Sequence, residues 1–185
     1  SRVEELKRRL EELIERIDRE SKRTLKELKD LAREIKELSE RTLRELERLA
    51  KEVKEELDRI KDKDTVRRVL EEAERMLKEI SERNKRLIED IARKADEIHK
   101  RNRELIEDIR RKLEEILRRL RTEGVDEEKV KELEERVRRV DEELERSNER
   151  LRREVKKIKE ELKESHERLN KRVEEIRREL RERSR

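Results

Sequence analysis

At 185 residues, 62% of them charged, the chain contains no Phe, Tyr, Trp, Cys or Pro. That composition excludes disulfides, thiolate catalysis and Cys-based metal sites. Its 59 basic and 55 acidic side chains leave a net charge of only +4, which favours solubility and does not point to a nucleic-acid partner.

Low hydrophobicity with high charge is also the signature of disorder. Here, however, the two signs are interleaved and the apolar residues recur at helical spacing, the profile of long packed helices. The order begins at Ser1, which with Glu4 forms a capping box at the start of a helix. Val3, Leu6, Leu10, Leu13 and Ile17 step by three or four residues along one face, and the face continues through Leu28, Leu31, Ile35, Leu38, Leu46, Leu49, Val53 and Leu57. The pattern predicts one helix over about 2–60, roughly 85 Å long.

A short polar stretch at 61–65 interrupts the stripe, and Asp64 or Thr65 is suited to cap the next helix. The second stripe runs Val66, Val69, Ala73, Met76, Ile80, Asn84, Leu87, Ile91, Ala95, Ile98, Asn102, Leu105, Ile109, Leu113, Ile116 and Leu120, predicting a helix over about 66–121. Gly124, the sole glycine, suits the left-handed position that ends a helix, and Asp126 suits the next N-cap. A third stripe from Val130 to Leu180 predicts a helix over about 127–182. Two short connections between three equal helices imply antiparallel neighbours. The fold class is all-α: a single domain over 1–185, a long up-down-up antiparallel three-helix bundle.

Small polar residues interrupt each stripe at a spacing of 18, and more than half the positions match between 21–38 and 39–56, and between 81–98 and 99–116. Eighteen residues are five turns at 3.6 per turn, so the pattern returns to the same face without drift and the helices are expected to be nearly straight. In an antiparallel pair, opposed residues share a constant sum of numbers. Ser21 with Asn102, Thr24 with His99, Ser39 with Asn84 and Thr42 with Ser81 all share the sum 123. Asn102 with Ser147 and Asn84 with Ser165 share 249. The expectation is two polar layers about 27 Å apart. One holds Ser21, Thr24, His99, Asn102, Ser147 and Asn148. The other holds Ser39, Thr42, Ser81, Asn84, Ser165 and His166, with Asn170 nearby. One polar residue in a core costs on the order of 1–3 kcal/mol if unsatisfied, whereas several at one depth can satisfy one another and penalise other registers.

Equal helices, an 18-residue repeat, no aromatics, minimal loops and discrete polar layers together resemble computationally designed helical bundles with buried hydrogen-bond networks. The resemblance covers essentially the whole chain. It implies a designed structural scaffold without natural biochemical activity, or a component that assembles with a second copy or a designed partner chain. It also implies recombinant cytoplasmic expression, and the sequence carries no targeting signal and no membrane-length apolar run. By the same resemblance, His99 and His166 could make assembly pH-responsive; as buried neutral groups they would contribute above their unfolded pKa of ~6.5 and lose that contribution below it.

No catalytic constellation, Gly-rich loop or cofactor motif is present, and the histidines fall in separate layers, too far apart to share a metal. Cofactors, small molecules, nucleic acid and membrane are therefore not expected as partners. The state of association is left open between a monomer and a homo-oligomer. Ile14, Leu25, Leu43, Leu70, Leu77, Ile88, Ile106 and Leu117 lie beside the main stripes of the first two helices, and two readings fit them. They widen an ordinary bundle stripe, or they form an interface with another chain.

Overall fold

The computed structural model describes residues 2–122, 124 and 126–185. Three helices account for nearly all of them: α1 at Arg2–Arg59, α2 at Lys63–Thr122 and α3 at Glu127–Arg183. No strand occurs among the described residues. Single helices this polar would be marginal in water, so their stability comes from burying the apolar face of each against the other two.

The helix ends follow from local chemistry. The start of α2 lies three residues before the expected position, and its cap is neither Asp64 nor Thr65. Asp62 takes that role. Its backbone carbonyl accepts from the Val66 N–H at 3.1 Å, and its carboxylate accepts from the Thr65 hydroxyl at 2.9 Å. The Thr65 hydroxyl and the backbone N–H groups of Asp64 and Thr65 hold the Asp62 carboxyl below its usual pKa. A carboxylate two or three residues upstream reaches first-turn N–H groups that Asp64 and Thr65, already inside the helix, cannot. At the other connection, Gly124 adopts a φ of 62°, the left-handed conformation expected of it. Asp126 occupies the N-cap position of α3, its carbonyl accepting from the Val130 N–H at 3.0 Å. The proposed cap at Ser1 lies outside the described residues.

The chain divides into two units, each built from a segment of every helix. The first comprises Ser1–Lys29 and Ala95–Lys156. Its core joins Leu6, Leu10, Leu13 and Ile17 of α1 to Ile106, Ile109, Leu113, Ile116 and Leu120 of α2 and Leu133, Val137, Val140 and Leu144 of α3. The second comprises Asp30–Lys94 and Lys157–Arg185. There Leu46, Ala50, Val53 and Leu57 meet Ala73, Leu77 and Ile80, with Leu169, Val173, Ile176 and Leu180 completing the core.

Direct contacts define direction within each unit. In the first, Arg16 pairs with Asp108 at 2.8 Å and Arg101 with Glu27. In the second, Lys94 pairs with Glu34 and Arg83 with Glu45. Numbers rise on α1 as they fall on α2, so these helices are antiparallel. Arg110 of α2 reaches both Asp141 and Glu145 of α3, and Arg177 of α3 reaches Glu74 of α2. By contrast, α1 and α3 run parallel at a fixed offset. Ser21 meets Ser147 and Ser39 meets Ser165, each 126 residues apart. The fold is an up-down-up three-helix bundle.

Most of the expected inward line of α2 is buried, but the buried face is wider than that line and departs from it at a few positions. Leu77 and Ile106, assigned to a possible interface, are core residues at 1% and 7% exposure, whereas Met76 and Leu87, assigned to the core, are exposed at 42% and 37%. In a three-helix bundle each helix touches two neighbours and needs a stripe wider than one line of residues. Residues on the flank of a single line are thereby drawn under the third helix. Ile14 and Leu117 pack at the edge of the first core, and Leu43 and Leu70 at the edge of the second. Leu25 and Ile88 are half-buried.

Candidate functional site

The small polar residues that interrupt the apolar stripes are the candidate site, and each expected set falls within one unit. They belong on these helices because five turns carry the pattern back to the same face, which places Ser and Thr where Leu would otherwise point inward.

In the first unit, the Ser21 and Ser147 hydroxyls meet at 3.0 Å, joining α1 to α3. Thr24 and Asn102 are buried, at 5% and 9% exposure, while His99, Ser147 and Asn148 are half-buried. The Asn102 amide Nδ2 and the Asn148 Oδ1 are sequestered without a hydrogen-bond partner. A cavity of about 230 Å³ borders this group, with Ser21, Thr24, Asn102 and Ser147 among its walls.

In the second unit, Ser39 and Ser165 form the equivalent hydroxyl contact between α1 and α3. The Thr42 hydroxyl donates to Asn84 Oδ1 at 3.4 Å, joining α1 to α2. The expected partner of Thr42 is Ser81, three residues earlier on α2. A constant sum assumes that opposed residues sit at equal depth, whereas side chains on a helix lean toward its N-terminus, so the contact falls just under one turn away. Asn84, at 2% exposure, keeps its Nδ2 unpartnered. Ser81 is half-buried.

His166 is half-buried and turns along its own helix instead of across the bundle. Its Nε2 lies 3.1 Å from the Asn170 Nδ2, one turn away on α3. With the amide as donor, Nε2 is the acceptor and the ring proton resides on Nδ1, which is buried and unpartnered.

Around the polar sets, charged side chains tie helix to helix, a feature that spacing within single helices does not reveal. Arg172 of α3 binds Glu47 of α1 through two nitrogens, one at 2.9 Å, and also reaches Glu179 at 3.2 Å. Lys54 of α1 donates to the other Glu179 oxygen at 2.8 Å. The hydrogen bond from Arg172 holds the Glu47 carboxyl below its usual pKa, and that from Lys54 does the same for Glu179. In the first unit, hydrogen bonds from Arg16 and then Lys112 depress Asp108. The numbering does carry a signal for these pairs: Glu47 with Arg172, Lys54 with Glu179 and Asp58 with Arg183 are each 125 apart, one less than the serine pairs.

Among the described residues, no cluster of three or more His, Asp or Glu side chains could hold a metal ion, and no helix is long and apolar enough to cross a membrane. No family model matches the sequence, and no curated protein does. A solved structure described as a "Computationally designed three helix bundle" superimposes with a TM-score of 0.54, at 18% identity, over 99% of this chain and 92% of that one. The chain therefore shares the three-helix-bundle fold of a computationally designed protein.

Proposed function

We propose that the chain is a designed structural scaffold whose polar sets specify which helices pair and in what register. The observation that carries this reading is the recurrence of one contact: Ser21 with Ser147 and Ser39 with Ser165, at the same offset of 126.

The repeat itself creates the problem that this arrangement addresses. Apolar stripes that recur every 18 residues pack almost as well after a slide of 18. The α1–α3 pair shares no loop of its own, so its offset is held only through α2, and a slide there must also unwind helix ends at the short connections. A slide that set Ser39 against Ser147 would bring Ser165 against Leu57 and Ser21 against Lys129, leaving the Ser165 hydroxyl unsatisfied at a cost on the order of 1–3 kcal/mol. Both serine pairs are thus satisfied only at the native offset. Net stability gains little from hydroxyl contacts, so specificity is the role that fits them.

Disulfide trapping tests the reading, since the chain has no native cysteine. Lys54→Cys with Glu179→Cys occupies a contact of the native register and is expected to cross-link rapidly under mild oxidation. Lys54→Cys with Glu161→Cys, displaced by 18, is expected not to. In a background carrying Ser21→Val, Ser39→Val, Ser147→Val and Ser165→Val, the displaced pair should begin to cross-link. Unchanged selectivity in that background would remove the polar sets from the account of register.

A further inference from the structure

The cavity beside Ser21 and Ser147 has a chemistry of its own. Four of its uncharged walls offer hydrogen bonds: the two serine hydroxyls, the Thr24 hydroxyl and the Asn102 side chain. Asn102 is more than nine-tenths buried, and its amide Nδ2 has no partner in the protein. A buried amide left in that state costs on the order of 1–3 kcal/mol. The terminal torsion of an asparagine is broad, so the amide turns toward the cavity at little expense.

The charge of the lining restricts what can fill the cavity. Asp18, Glu143, Arg146 and Arg150 also line it, two charges of each sign. With no net charge, the lining favours neither an anion nor a cation. The occupant must also accept from the Asn102 amide while donating to or accepting from three hydroxyls. A small neutral molecule with both capacities fits, and a volume of about 230 Å³ corresponds to on the order of seven waters at ~30 Å³ each.

We propose that this cavity is a hydration site, in which ordered waters bridge Asn102 of α2 to Thr24 and to the Ser21–Ser147 pair. A bridging water is nearly as good enthalpically as a direct bond, so the site completes a set that protein groups alone leave open. The inference rests on the register-specifying role proposed above and gives that role a solvent component.

Water-to-protein NOE spectroscopy on the intact chain tests it. Cross-peaks with the sign of long-lived water are expected at the Asn102 side-chain NH2 and the Thr24 methyl. Hydroxyl exchange can mimic such peaks, so Thr24→Val provides the control. The water signal should persist on the methyls introduced there, because the neighbouring waters remain. Ser21→Leu fills the cavity and should abolish the signal at Asn102. Absence of the cross-peaks in the parent protein, or their loss from position 24 in Thr24→Val, would overturn the hydration site. If Ser21→Leu folds and the Asn102 signal survives, the site is likewise overturned. The register reading fails separately, through the cross-linking pattern, so a dry cavity with selective cross-linking would refute only the hydration site.

Discussion

Asn84 is among the most completely buried side chains of the described residues, yet only one of its two polar atoms is hydrogen-bonded. Its oxygen accepts from Thr42 over a long 3.4 Å, while its amide nitrogen has no partner. Burial of an unsatisfied donor is expensive, whereas replacing both members of a polar contact by apolar groups of similar shape is nearly neutral or stabilising. Thr42→Val with Asn84→Leu is therefore expected to raise stability by about 1–3 kcal/mol, the desolvation cost of the orphaned amide. Urea denaturation at neutral pH measures it. A lower midpoint in the double variant would show that the contact stabilises the fold more than its geometry allows. The same residue shows what sequence could and could not supply. That Asn84 breaks an apolar stripe is visible in the chain. That it meets Thr42 instead of Ser39 depends on how side chains lean from two packed helices, which numbering does not encode.

The helices obey signals that act over a few residues, and their ends are largely legible for that reason. Gly124 and Asp126 do what their residue types favour. The cap of α2 is harder to place, because Asp64 and Thr65 compete with Asp62 for the same role. The inward face of α2 is harder still. Met76 and Leu77 are adjacent apolar residues, and periodicity alone cannot say which points inward until a third helix is present. Gly124 gives the sharpest test at this scale. A Cβ there would meet no atom within 4 Å, so any cost of Gly124→Ala is conformational and not steric crowding by neighbours. With φ at 62°, the expected destabilisation is about 1–2 kcal/mol, read from chemical denaturation. No loss would indicate that the connection relaxes to a different backbone conformation.

At the scale of the molecule, the three helix pairs are not specified in the same way. Loops of a few residues restrict α1 against α2 and α2 against α3. The parallel α1–α3 pair has no loop of its own, so its offset is held through α2 and by the side chains that join the two helices directly. Serine contacts join these helices in both units, and ion pairs add to them, Glu11 with Arg136 at 4.0 Å in the first unit and those of Arg172, Lys54 and Arg183 in the second. Arg172 is central there, its side chain only 21% exposed while it holds Glu47 and Glu179. Both carboxyls sit below their ordinary value of 4.5. A depressed carboxylate contributes stability that is present above its unfolded pKa and lost as pH falls through its folded one. The α1–α3 tie is thus intact at neutral pH and weakens on acidification below about 4.5, as do the other depressed carboxylates. Arg172→Ala separates its share from theirs. At pH 7 it should cost about 0.5–1 kcal/mol, since ion pairs this close to solvent are screened. Between pH 7 and pH 3 the variant should lose less stability than the parent, because Glu47 and Glu179 have already lost their guanidinium. Urea midpoints of both proteins at the two pH values decide the matter. Equal losses on acidification would mean that Arg172 does not couple those carboxyls to folding.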